Sequence, residues 1–195
     1  MNAARKGIAL VTGASSGIGL VTAQALAQAG YRVFGTSRKV VPSPAGITMF
    51  GVARVVNAVL PIMRAQKGGR IINMSSILGL IPSPFSAYYA STKHAIEGYT
   101  ESLDHEVRGS GIRVVLVQPG VTRTAFEENL TRADQPMDTY AEGRARSEGL
   151  MRKWVEAGDD PQVVADAVVR AATATKPNLR YPAGKQSSQV SMLRR

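Results

Sequence analysis

The chain is predicted to fold as an α/β protein built on a doubly wound parallel sheet, and three observations carry that prediction. Short apolar runs of strand length alternate with longer stretches of helical periodicity. A glycine-rich turn, Gly13-Ala14-Ser15-Ser16-Gly17-Ile18-Gly19, joins the first run to an alanine-rich helix. Ile112 to Gln118 is a near-continuous apolar run, the pattern of a strand covered on both faces.

Each element follows from local chemistry. Gly7 to Thr12 reads as a buried strand, and Ile18 to Ala29 as a helix with apolar positions at Ile18, Val21, Ala25 and Ala29. Tyr31 to Thr36 is the second strand. Phe50 to Gln66 is a helix, expected to kink at Pro61, where an N–H is missing. Gly69 to Ser75 is the next strand, ended by a loop through Pro82 and Pro84. Ala87 to Arg108 forms a long helix that leads into the Ile112 strand. Asp160 is the N-cap and Pro161 the first residue of a helix buried along Val163, Val164, Ala167, Val168 and Ala171. Leu179 to Pro182 is a last short strand. At 195 residues the whole chain, 1–195, makes one domain.

Thr124 to Gly158 is too long for an ordinary connection and is expected to form a lid over a binding site. Its Phe126, Leu130, Met137, Tyr140, Leu150, Met151 and Trp154 either line a pocket or pack this lobe onto the core.

Two constellations carry chemistry. On a helix over 87–108, Tyr89 and Lys93 lie one turn apart on one face. At ~5 Å and an effective dielectric of ~20 their interaction is worth roughly 3 kcal/mol, about two pKa units. Lys93 is therefore expected to bring the Tyr89 phenol to about 8, a range suited to proton transfer. Tyr88 has only Thr92 one turn on. The second constellation is the glycine turn. Its backbone can approach a diphosphate at a helix amino terminus, where free N–H groups and the macrodipole favour negative charge.

Composition excludes several classes. With no cysteine there is neither a disulfide framework nor thiol catalysis. The net charge of +10 raises nucleic acid as a partner, but its distribution argues against one. Residues 1–96 hold ten Lys/Arg and no Asp or Glu, scattered one or two per element, and residues 97–195 hold fourteen of each. Met1 to Lys6 does not resemble a signal peptide, and Val52 to Met63, interrupted by Arg54, is too short to insert in a membrane. A cytoplasmic, soluble protein is expected. Gly13-Ala14-Ser15-Ser16-Gly17 fits the nucleophile elbow of hydrolases, with His94 and His105 as tempting partners. It follows the first strand, so no earlier strand-loop can supply an oxyanion donor, and the histidines read as surface residues.

The chain resembles the short-chain dehydrogenases/reductases. Thr12 to Gly19 is similar to the family's Thr-Gly-x-x-x-Gly-x-Gly, and Ile71-Ile72-Asn73-Met74-Ser75-Ser76 to its strand ending in the catalytic serine. Tyr89-Ala90-Ser91-Thr92-Lys93 and Pro119-Gly120-Val121-Thr122-Arg123-Thr124 follow in the family's order. The resemblance implies a Rossmann-like three-layer sandwich and hydride transfer between a nicotinamide and a carbonyl carbon, with Ser76, Tyr89 and Lys93 catalytic. Adjacent strand residues point to opposite faces, so only one of Ser75 and Ser76 can address the site, and the family pattern selects Ser76. Cofactor contacts are implied for Gly13, Ser15, Ser16, Gly17, Ile18, Gly19, Tyr89, Lys93, Pro119, Gly120, Val121 and Thr124, and no metal is implied. Ser37 and Arg38 stand where an NAD site carries a carboxylate, so NADP(H) is expected over NAD(H). The substrate expected is a hydrophobic alcohol or its ketone or aldehyde, and the assembly a homodimer or homotetramer through helices 50–66 and 87–108.

One junction departs from the family. Gly46-Ile47-Thr48-Met49 begins like its third strand, whereas Phe50-Gly51-Val52-Ala53 looks like a helix that normally comes two strands later. The family's Asn-Asn-Ala-Gly strand end is absent, and Thr48 stands where an asparagine is expected. An internal segment is therefore missing at Met49/Phe50. The expectation is a chain break with Cα atoms much farther apart than ~3.8 Å. An ordinary link there would favour a catalytically incomplete dinucleotide-binding sensor or structural subunit.

Overall fold

A computed structural model describes residues 6–36, 48–126 and 135–193. Among these, β1 (Ile8–Thr12), α1 (Gly17–Gln28) and β2 (Arg32–Thr36) form an amino-terminal unit. Next come α2 (Thr48–Ala65), β3 (Gly69–Met74), α3 (Ala87–Val107) and β4 (Ile112–Pro119). The chain closes with α4 (Ala141–Glu156), α5 (Pro161–Thr173), β5 (Arg180–Ala183) and α6 (Lys185–Leu193).

All strand pairs are parallel, yet the described strands form two sheets, β1-β2 and β3-β4-β5. Both lie under one helical layer. Ala9, Val11 and Val33 of the first sheet and Val115 and Val117 of the second pack into the same apolar cluster with Leu26 of α1 and Val164 and Val168 of α5. Along β4 the period of two sends Ile112 and Val114 to the opposite layer, where they meet Val56 and Leu60 of α2 and Leu103 and Val107 of α3. Among the described residues that second layer does not extend over β1-β2. Ile8, Leu10 and Phe34 stand exposed there, with the Arg32 guanidinium 5.0 Å above the Phe34 ring.

The edges between the two sheets also pair with no other strand among the described residues. Arg32 N–H donates to Gly7 O in the register that pairs Ile8 with Arg32, so strand alternation turns the Ala9 and Val11 N–H groups toward β2 and those of Ile8 and Leu10 away from it. Ser75 N–H donates to Val117 O, which leaves the N–H and C=O of Met74 on the far edge of β3.

The break expected at Met49–Phe50 is corrected here. α2 runs unbroken from Thr48 through Pro61 to Ala65, so Thr48 and Met49 are its first turn and not the end of a strand. No turn residue separates Met49 from Phe50, and the periodicity of Val52, Val56, Val59, Leu60 and Met63 carries the helix back into them. The acid-free first half and the net charge of +10 thus belong to the chain itself.

Elsewhere the helix starts behave as their caps dictate. Asp160 Oδ1 accepts from Gln162 N–H at 2.8 Å and opens α5. The far end of α5 is closed by Arg70 of β3, whose Nη1 donates to Ala171 O and Ala174 O at 2.6 and 2.7 Å. The stretch read as a lid contains α4.

Candidate active site

The site lies where the strands end, as ligand sites do in open parallel sheets. β1 ends in the glycine turn. Gly13 and Gly17 have φ of +71° and +51°, the left-handed region, and a Cβ on Gly19 would fall onto the Gly13 carbonyl. Ser16, extended ahead of α1, makes no side-chain cap, so the helix amino terminus is not closed by its own residues. The loop after β4 comes down on this turn: a Cβ on Gly17 would lie 3.7 Å from Thr124 Cγ2. That loop is fixed by Gly120 N–H on Ala183 O and by mutual backbone bonds between Val121, Arg123 and Asp159. A cradle shaped by absent side chains at a helix amino terminus fits a diphosphate. Ser37 and Arg38 lie outside the described residues, as does Leu130 of the lid.

β3 ends at Met74, and Ser75 and Ser76 then diverge. Ser75 continues the β4 pairing through its N–H, and its buried hydroxyl has no hydrogen-bond partner among the described residues. Ser76 caps a 3-10 turn over Ile77–Gly79 by accepting from Leu78 N–H at 3.2 Å, and its hydroxyl lies close enough to the Tyr89 phenol to lower its pKa. Tyr89 is half-buried in the first turn of α3, with the Phe126 ring edge-on at 5.6 Å. Lys93 is 7% exposed; its Nζ donates to Met74 O at 2.9 Å and stands 5.5 Å from the Tyr89 ring centroid. The ammonium thus takes the carbonyl that β3 leaves unpaired at its free edge.

The electrostatics correct the expectation for Tyr89. Burial raises its pKa, and the Ser76 hydrogen bond only partly opposes this. It is Lys93 that is brought to about 8, again chiefly by burial, with the Glu97 carboxylate pulling the other way. The sequence-based estimate counted the charge pair and omitted the desolvation that both groups share.

Residues that sequence reasoning missed surround this lysine. Glu97 is buried one turn beyond it and is held by Gln118 and Arg180. The only available signal was its i+4 spacing from Lys93. His94 and His105 are exposed, as expected of surface residues. Asn73 donates to Thr100 Oγ1 at 2.9 Å.

A cavity of about 330 Å³ opens between α4 and the loop ahead of α3, lined by Pro84, Phe85, Leu150, Met151 and Trp154 among others. A larger one, about 540 Å³, lies between α1 and α5 beside Gln28, Asp166 and Arg170, and no catalytic candidate lines it. The first lies nearer the catalytic candidates, because Phe85, in the loop ahead of α3, is four residues before Tyr89.

A parallel α/β domain with a glycine cradle after its first strand and a serine, a tyrosine and a lysine grouped at the strand ends is the architecture of an oxidoreductase. The family model for short chain dehydrogenase matches residues 7–45 and 45–135. The chain is 31% identical over 235 residues to 3-ketodihydrosphingosine reductase of Bacteroides thetaiotaomicron, which covers 91% of this chain and 87% of that protein. It is 32% identical over 173 residues to the oxidoreductase YbbO of Escherichia coli, covering 86% of this chain and 60% of the relative. Among solved structures, a short-chain dehydrogenase from Streptomyces avermitilis superposes with a TM-score of 0.76 at 25% identity, covering 98% of this chain and 92% of that one. A short chain dehydrogenase from Burkholderia cenocepacia in complex with NADP gives 0.70 at 18% identity, covering 95% and 91%, a likeness of fold.

The chain belongs to the short-chain dehydrogenase/reductase family of oxidoreductases. The family match divides into two stretches that meet at residue 45. An alignment of 235 positions that takes in 91% of a 195-residue chain also requires gaps on this chain's side. Relative to the family, an internal segment is missing from the polypeptide itself.

Proposed function

We propose that the protein is an NADP(H)-dependent oxidoreductase that interconverts a hydrophobic alcohol and its ketone or aldehyde through Ser76, Tyr89 and Lys93. The observation that supports this most is the grouping of those side chains at the end of β3: Ser76 near the Tyr89 phenol, and Lys93 on Met74 O and 5.5 Å from the tyrosine ring. Tyr89 gives its proton to the forming alkoxide and Ser76 holds the carbonyl oxygen. The raised phenol pKa keeps Tyr89 protonated, and so ready to donate, through neutral pH. The glycine cradle would hold the diphosphate, Ser37 and Arg38 the 2′-phosphate, Lys93 the nicotinamide ribose, and Pro119, Gly120, Val121 and Thr124 the nicotinamide end. Bound there, the nicotinamide supplies the hydride. Phe85, Leu150, Met151 and Trp154 favour an apolar substrate. The same reading makes the protein a cytoplasmic homodimer or homotetramer, for which exposed Val55 and Ile62 on α2 offer surface. Among the described residues no helix is long and apolar enough to cross a membrane.

The test is a panel of ketones, aldehydes and alcohols followed by nicotinamide absorbance, with both cofactors titrated in parallel. Turnover with NADPH favoured over NADH, and loss of that preference in Arg38→Ala, is expected. Equal efficiency with both, unchanged in Arg38→Ala, refutes the cofactor assignment. A second reading, a catalytically incomplete dinucleotide-binding sensor or structural subunit, is favoured by the unbroken α2 and the divided sheet. Dinucleotide binding with no turnover across the panel selects it.

A further inference from the structure

The proposed reaction leaves one buried charge beside its site without a role. Glu97 is 6% exposed and lies one turn beyond Lys93 on α3. A carboxylate so enclosed is strongly disfavoured unless it is hydrogen-bonded and paired. Gln118 Nε2 of β4 donates to its two oxygens at 3.0 and 3.1 Å, and Arg180 Nε of β5 donates at 3.2 Å. Arg180 also binds Glu101, a further turn along α3, at 3.0 Å. Water has little room here, since a Cβ on Gly79 would stand 3.1 Å from Glu97 Cγ and 2.6 Å from Ser75 Oγ. The Lys93 ammonium itself rests on Met74 O, so Glu97 acts on it through space.

We propose that Glu97 is a positioning residue: its carboxylate, held in place by Gln118 and Arg180, is the counter-charge that keeps the Lys93 ammonium charged beside Tyr89. This rests on the Ser76–Tyr89–Lys93 reading of the site. Lys93 faces Tyr89 and Glu97 on its own helix and the Met74 carbonyl on β3; Glu97 faces Gln118, Arg180 and, through Arg180, Glu101. Burial drives Lys93 toward its neutral form, and an uncharged amine would neither stabilise a phenolate nor bind ribose hydroxyls as firmly.

The experiment is titration of the lysine ε-carbon and ε-proton NMR signals in the full chain without cofactor or substrate. Lys93 is assigned by its loss in Lys93→Met. Glu97→Gln is expected to lower the Lys93 midpoint by about one pH unit. Glu97→Asp returns it toward the wild-type value, and Arg180→Met moves it upward, because the carboxylate is then less neutralised. A role in packing alone predicts no such opposite signs. An unmoved Lys93 in both Glu97→Gln and Arg180→Met overturns the proposal, as does an equal fall in Glu97→Gln and Glu97→Asp. If Glu97→Gln fails to fold, the upward shift in Arg180→Met decides. Because no turnover is involved, the expected shifts in a protein that reduces no carbonyl would uphold the electrostatic role and reject the reductase reading.

Discussion

β4 and β1 are both parallel strands rich in aliphatic residues, yet their surroundings differ. Val114, Val115, Leu116 and Val117 of β4 are fully enclosed, with strands on both edges and helices on both faces. On β1, Ile8 and Leu10 are 71% and 53% exposed, and one edge has no strand among the described residues. A parallel strand composed for two covered faces has received only one. The lost layer and the lost interior neighbour coincide with the segment missing at the α2 junction. Ser76, Tyr89 and Lys93 stand on the fully built part of the molecule, whereas the glycine cradle stands on the part that lacks support.

That contrast can be broken at several points. The largest effect is expected in the well-built half: Tyr89→Phe keeps the ring against Phe126 and removes the proton, so turnover should fall by at least ~100-fold while cofactor affinity changes little. Stopped-flow and steady-state rates on the best substrate check this, and near-normal turnover removes Tyr89 from the mechanism. Lys93→Met should damage both turnover and cofactor binding.

Next is Asp104, fully buried on α3, whose oxygens accept from Arg113 at 2.9 Å, Arg108 at 2.7 Å and Val114 N–H at 2.9 Å. Burial pushes this carboxyl up, but the two guanidiniums and the amide outweigh it and hold its pKa below the usual range. The folded state therefore binds this proton less readily than the unfolded chain. Its stabilisation is complete above the ordinary aspartate pKa and is lost as pH falls through the depressed value. Asp104→Asn should cost about 2–3 kcal/mol at neutral pH and flatten the acid limb of the stability curve, measured by urea unfolding. An unchanged acid limb would place the acid sensitivity elsewhere.

The smaller effects compare the strands directly. Val115→Ala on β4 should cost about 1.5–3 kcal/mol, because the cavity is closed on all sides. Leu10→Ala on β1 should cost less than about 1 kcal/mol, because most of that side chain already meets water. Similar penalties at the two positions would mean that β1 is covered in solution.

What the sequence made legible was what neighbouring residues decide among themselves. The Asp160-Pro161 helix start, the tyrosine and lysine one turn apart, and the glycine cradle are all written within a few residues. So was the junction at Met49–Phe50, though its consequence was read as a chain break where the structure has a continuous helix. α4 went unseen because Gly143 and Gly149 interrupt it and none of its residues is buried, leaving little apolar period. Glu97 went unseen because its meaning comes from Gln118 and Arg180, 21 and 83 residues away. The direction of the Tyr89 shift depends on burial, which no spacing reveals.

The central claim is that the parallel sheet is interrupted between β1 and β3. Residue-resolved hydrogen exchange on the free protein tests it most directly. The Val114 to Val117 amides should exchange only on global unfolding, while Ile8 and Leu10, whose N–H groups face the edge that no described strand pairs, should exchange at least ~1000-fold faster through local exposure. Equal protection of Ile8 and Leu10 with β4 would contradict the account, because those amides would then have a partner that the described fold does not provide.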